Sequence, residues 1–246
     1  MKRIALIALF TSLIISNYGK AQCGFQATCP NTDYLNFGMG SNNDAASIEY
    51  DNFISSFHST VVRTSQGTYK VWGEGVANNG VGNLLAPTEI NTTNFPALTG
   101  TILKAHLGSS SVYSATTPGS GVQGIVLTTT GLFAWGAEGA VIHPNLTSST
   151  TFQKLTVGGN TQGLPTGVTP TDVKMLFVTN ETMALTTCSG NVYVLTLNGA
   201  NAGRGFTGVL SAANAVQWHQ VTTSATGNPA LTDVIAVRGS KHTLFA

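Results

Sequence analysis

Apolar residues along this chain fall in short runs broken by Thr, Ser, Gly and Asn. Three of the runs align without a gap: His58 to Gly67 (HSTVVRTSQG), Val122 to Gly131 (VQGIVLTTTG) and Glu181 to Gly190 (ETMALTTCSG), with a fourth beginning at His242. Each has an apolar centre, then Thr or Ser, then a glycine that opens a second apolar segment: Thr68 to Gly73 (TYKVWG), Leu132 to Gly136 (LFAWG) and Asn191 to Thr196 (NVYVLT). Two runs of strand length around a glycine predict a β-hairpin. The turn glycines Gly67, Gly131 and Gly190 are 64 and 59 residues apart, a period too long for stacked helical pairs.

A second register supports the period. Asp172-Val173 and Asp233-Val234 each start nine residues ahead of the aligned column at Glu181 and His242, and Glu49 stands at the same offset from His58. In the second unit the matching segment, Thr101 to Gly108, is pushed back by a Ser/Gly-rich insertion running from Ser109 to Gly121. Each unit then offers a strand near Asp-Val, one after the His column, one ending in Trp-Gly, and a fourth in segments such as Ala86 to Ile90, Phe152 to Leu155 and Trp218 to Val221. Four strands make one propeller blade. The expectation is an all-β chain, a β-propeller of four-stranded blades that is incomplete, with about three blades and the start of a fourth. The units fall at about 49–100, 101–170, 171–231 and 232–246, the last breaking off in mid-blade. Remaining blades are expected from a longer chain, because each blade buries its faces against neighbours. A β-sandwich with accidental internal similarity is the alternative.

The segments His58 to Gly75, Leu127 to Gly139 and Val234 to Phe245 resemble the regulator of chromosome condensation type of repeat, in which His-Ser/Thr, an apolar strand, a turn glycine and a Tyr-x-Trp-Gly strand recur. The structural repeat positions are His58, Gly67, Trp72, Gly73, Gly131, Trp135, Gly136, Gly190 and His242. In the third unit Leu195-Thr196 replaces Trp-Gly. The resemblance implies a propeller, usually seven-bladed, whose function lies on loops and faces that differ between members. Kelch repeats are the rival, but their glycine pair precedes the aromatic segment, and the one such doublet here, Gly158-Gly159, does not recur.

Composition changes the picture in three ways. Charged residues are 9% of the chain, which suits many strands joined by neutral turns. Met1-Lys2-Arg3 followed by the apolar run Ile4 to Ile15, with Gly19-Lys20-Ala21 as a cleavage site, reads as a signal peptide over residues 1–21, with an uncleaved anchor as the alternative. No other stretch is apolar enough to span a membrane. The protein is therefore expected outside the cytoplasm, whether extracellular, periplasmic or at the cell surface. Without that segment the chain carries 8 basic and 10 acidic residues, a balance that does not attract nucleic acid, and the nucleotide-exchange and chromatin roles of the family's founding members are set aside. Residues 22–48 form an N-terminal segment in which Cys23 and Cys29 are expected to pair, leaving Cys188 as a lone thiol.

Candidate chemistry is sparse. His58 and His242 share a repeat column, which favours a structural bond to backbone or to an acid such as Glu49 or Asp233 over acid–base catalysis. His106, His143 and His219 lack ligand-like spacing, so no metal is expected. Gly119-x-Gly121-x-x-Gly124 matches a dinucleotide string, but an apolar β-like run follows it where a helix is needed, so no cofactor is expected either. Trp72 and Trp135 could stack on sugars, though their shared column argues for blade packing. Asn91, Asn145 and Asn180 fit the glycosylation string. The chain is read as an exported, non-enzymatic scaffold that binds a protein or glycan through a loop, with Ser109, Ser110, Ser111, Tyr113 and Ser120 as the candidate contacts. The alternatives are a propeller-based carbohydrate-active enzyme and a structural module of a larger surface protein.

Overall fold

The computed structural model describes residues 53–56, 58–64, 66–76, 83–109, 121–137, 149–180, 182–196, 217–234, 236–240 and 243–246. The expected leader, residues 22–48 with Cys23 and Cys29, Glu49, Glu181, His143, Asn145, His242 and the insertion residues Ser110, Ser111, Tyr113 and Ser120 lie outside them.

Strands follow the repeats. The first sheet runs β1 (Phe53–Ser56), β2 (Ser59–Arg63), β3 (Tyr69–Gly73) and β4 (Leu84–Glu89); the second β5 (Ile102–Ser109), β6 (Val122–Thr128), β7 (Gly131–Gly136) and β8 (Ser149–Lys154). The third runs β9 (Val173–Val178), β10 (Thr182–Thr187), β11 (Val192–Thr196) and β12 (His219–Gln220), and a hairpin of β13 (Arg238–Ser240) and β14 (Thr243–Phe245) follows. Every pairing is antiparallel between strands adjacent in the chain. A four-stranded meander contained within each repeat is a propeller blade. The sandwich alternative falls, because each sheet uses one repeat alone.

Alternation of side chains along a strand decides which neighbour a blade face meets. Val122 and Val126 of β6 join Val61, Val71, Leu107 and Trp135 in a core between the first and second blades. Ile125 and Leu127 of the same strand join Leu176, Val178, Met183 and Leu185 in the core between the second and third. Met175, Phe177, Ala184 and Val194 pack with Val234 and Val237 in a third. The second blade is thus flanked on both faces, and every residue of β6 and β7 is buried.

The Trp-Gly motif has a steric reason. Gly73 and Gly136 have φ of +124° and +120°, and a Cβ on them would lie 2.2 Å from the His58 carbonyl oxygen and 2.3 Å from that of Val122. His58 and Val122 occupy the same aligned column, so the glycine lets the third strand of each blade pass against the start of the second. Trp135 lies over Gly124, its cross-strand partner, and meets Phe152 edge-on at 5.0 Å. Blade packing is the role of Trp135; Trp72 is half-buried.

Candidate interaction site at the inner-strand mouth

The first strands of successive blades pack on one another, β1 on β5 and β5 on β9. Their registers place four different residues at one repeat position: Ile54 opposite Val61, His106 opposite Ile125, Phe177 opposite Ala184 and Arg238 opposite Phe245. The opposing residues all stand three places after the aligned His column. All four members of this ring line one cavity of about 350 Å³, together with Phe53, Ser55, Ser56, Ser109, Thr179 and Asn180.

His106 is 3% exposed and meets the Phe177 ring at 5.3 Å with the planes 65° apart. Burial, and then the charge of Arg238, push its pKa down to about 3, a backbone hydrogen bond with Leu107 acting weakly the other way. The imidazole is therefore neutral at ordinary pH, and its Nδ1 is buried without a hydrogen-bond partner, as is Oδ1 of Asn180. Arg238 is exposed; its guanidinium sits 5.8 Å from the Phe177 ring centroid, and Nη1 donates to the Val237 carbonyl at 3.1 Å. Gln123 closes the wall behind the ring. Its buried amide nitrogen stands 2.7 Å from the Ser109 carbonyl, 2.8 Å from that of Thr179 and 3.0 Å from that of Asn180, joining the second blade to the third. Gly108 permits that approach, since a Cβ there would lie 2.7 Å from Val178 Cγ1.

Of the candidate contacts read from the sequence, Ser109 lies at the cavity, where β5 ends and the insertion to Gly121 begins. His58 lies at the turn after β1, with its Nδ1 2.5 Å from Glu74 Oε2; Glu49 lies outside the described residues. Glu74 directly follows the Trp-Gly pair, so the contact ties two repeat elements of one blade. Cys188 departs from the expectation of a lone thiol: it is disulfide-bonded; Cys23 and Cys29 lie outside the described residues. Gly124 of the dinucleotide string sits in β6 beneath Trp135. Asn91 turns its side chain inward on the local backbone, accepting from the amides of Thr93 and Asn94. Among the described residues no helix is long and apolar enough to cross a membrane.

The ring itself does not emerge from residue types and spacing, by which His106 stands isolated and Phe177 and Arg238 draw no notice. The signal is present in the repeat register. Ile54, Phe177 and Arg238 each stand four residues ahead of the column at His58, Glu181 and His242, and only the insertion displaces His106.

No protein-family model matches the chain, and no curated protein matches it in sequence. Among solved structures the chain is similar to human WBSCR16, with a TM-score of 0.45 and 18% identity over 72% of this chain and 41% of that one. It is similar also to Prp20p from Saccharomyces cerevisiae, a structure described with its binding to Gsp1p and histones (TM-score 0.41, 16% identity, 74% and 36% covered). A further similarity is to yeast RCC1 (Prp20) in a complex with Kap60 (TM-score 0.41, 12% identity, 80% and 40% covered). The chain spans about two fifths of the length of these proteins. They are RCC1-family β-propellers, the repeat type that the sequence motif resembles; the propeller assignment of this chain rests on its own register and blade topology.

Proposed function

We propose that this chain is an exported, non-enzymatic scaffold that binds a protein partner at the inner-strand mouth, with the insertion between Ser109 and Gly121 contributing to the contact. The observation that carries the reading is convergence: three blades and the hairpin after them bring one repeat position each to a single cavity, and the one long insertion among the hairpins of the first strands departs from its rim. A position that varies from Ile to His to Phe to Arg and lines a cavity is shaped by a ligand's requirements more than by blade packing. Export is supported by the basic start and apolar run of residues 1–21 and by the disulfide at Cys188, since such bonds persist in oxidising compartments.

The test replaces residues 110–120 by Asn-Gly, the short turn that joins hairpin strands elsewhere. Proteins retained from the exporting cell's surroundings by the immobilised full chain are identified, purified and measured singly against both forms. At least tenfold weaker binding by the shortened chain, with its far-ultraviolet circular dichroism unchanged, is the expected result. Equal binding by the two forms overturns the role of the insertion, and retention of no protein overturns the scaffold reading.

A further inference from the structure

We infer that copies of this chain join head to tail, the face of the first blade that carries Phe53 docking on the face of the β13–β14 hairpin that carries Phe245. The inference goes beyond the scaffold reading and does not depend on it. Phe53 shares a repeat column with Ala105, Leu176 and Val237, each one place before the ring residue of its unit. Those three are buried, each in the core that its unit shares with the preceding one. Phe53 itself is 66% exposed, and its cross-strand partner Val62 is half-buried where the corresponding Val126 is fully buried. Phe245 shares a column with Val61, Ile125 and Ala184, the residues opposite the ring positions. Those three are buried in the core shared with the following unit, whereas Phe245 is 67% exposed.

The interior cores show what such faces take. Val61 shares a core with Ala105, Ile125 with Leu176, and Ala184 with Val237. At each boundary, then, the Phe245 column of one unit closes on the same cluster as the Phe53 column of the next. One chain carries both halves of this repeated interface exposed, and the half on the hairpin complements the half on the first blade. A second copy supplies each complement by the contact already used three times within the chain. Such a contact is heterologous, joining unlike surfaces of identical copies. Its driving force is the burial of two phenyl rings that otherwise face water. Twice three four-stranded sheets and two hairpins fall within the about four to eight blades of a closed propeller, so a dimer that closes both contacts is the expected form.

The experiment follows the full chain by sedimentation velocity over a dilution series, in which a dimer that dissociates on dilution is expected. Phe53→Lys and Phe245→Asp, each at an exposed site, should separately weaken association by at least about tenfold, the worth of one buried phenyl ring. Mixed in equal amounts, the two variants should associate again. One contact between them keeps both phenyl rings, and the other sets the introduced Lys against the introduced Asp. Circular dichroism checks that each variant is folded; Phe53→Thr and Phe245→Thr, which keep the preference for strand, replace a charged variant that is not. A chain that stays monomeric throughout the series overturns the inference and leaves both faces to further blades of a longer chain. Association that either substitution leaves unweakened overturns it as well. So does a mixture no tighter than the separate variants, the sign that like faces meet.

Discussion

The body of the second blade and the ring at the mouth of the inner strands are both enclosed by neighbouring blades, yet they are built on opposite principles. In the blade body each position of β6 and β7 is buried and nearly all are apolar, so the two flanking cores are held mainly by packing, with Gln123 hydrogen-bonded towards the third blade. In the ring one repeat position is filled by an aliphatic, an imidazole, a phenyl and a guanidinium. Positions that must pack recur in kind from blade to blade; the position that faces the cavity is free to differ. On the function proposed above, stability and recognition fall to separate columns of the same repeat.

The largest expected effect breaks that separation from the packing side. Trp135→Ala empties a fully buried site between Phe152 and Gly124 and should cost about 3–5 kcal/mol, the range for removing a large aromatic from a core. Its column mate Trp72 is only half-buried, and Trp72→Ala should cost less than half as much in the same urea titration. Equal costs at the two tryptophans would mean that the second blade gains nothing from being flanked twice.

The blade body is legible in the sequence and the ring is not, for a physical reason. The blade hairpins announce themselves because a glycine turn and an alternating apolar run are local requirements, repeated each time the chain makes a blade. Gly73 and Gly136 recur because the same backbone collision, with His58 or Val122, recurs. The ring is hidden because its position holds no repeated residue type, and because the insertion before Gly121 moves His106 out of step. The bond at Cys188 is hidden differently: disulfide partners distant in sequence leave no trace in local pattern.

A second prediction isolates the backbone requirement shared by both blades. Gly136→Ala and Gly73→Ala each place a Cβ against a carbonyl at a φ that an L-residue rarely adopts, and each should destabilise by about 2–3 kcal/mol in the same titration. Here, unlike at the tryptophans, the two blades should respond alike, since the collision does not depend on burial. A marked difference between the two would show that neighbour packing, not the crossing of strands within a blade, selects the glycine.

The smallest expected effect comes from the ring and concerns acid. His106 is held neutral with a pKa of about 3, whereas in the unfolded chain it takes up a proton near its ordinary value of 6.5. The unfolded state therefore binds the extra proton between these values, and folding stability falls as pH drops through that window, levelling off only below about 3. Between about pH 7 and about pH 5 the loss from this one group should be about 2 kcal/mol. His106→Phe, which keeps the ring against Phe177 and removes the titration, should flatten that part of the stability curve. Arg238→Gln should flatten it only in part, because burial is the main cause of the depressed pKa and the guanidinium the second. Removing the guanidinium lets the folded-state pKa rise, so the loss on acidification saturates sooner and is smaller. At neutral pH the same variant should cost no more than about 1 kcal/mol, the worth of an exposed cation over an aromatic ring. Chemical denaturation repeated at several pH values reads all three curves. Coincident curves for the unaltered chain and Arg238→Gln would mean that the cation and the imidazole do not sense each other across Phe177, and the ring would then be four neighbours and not one site.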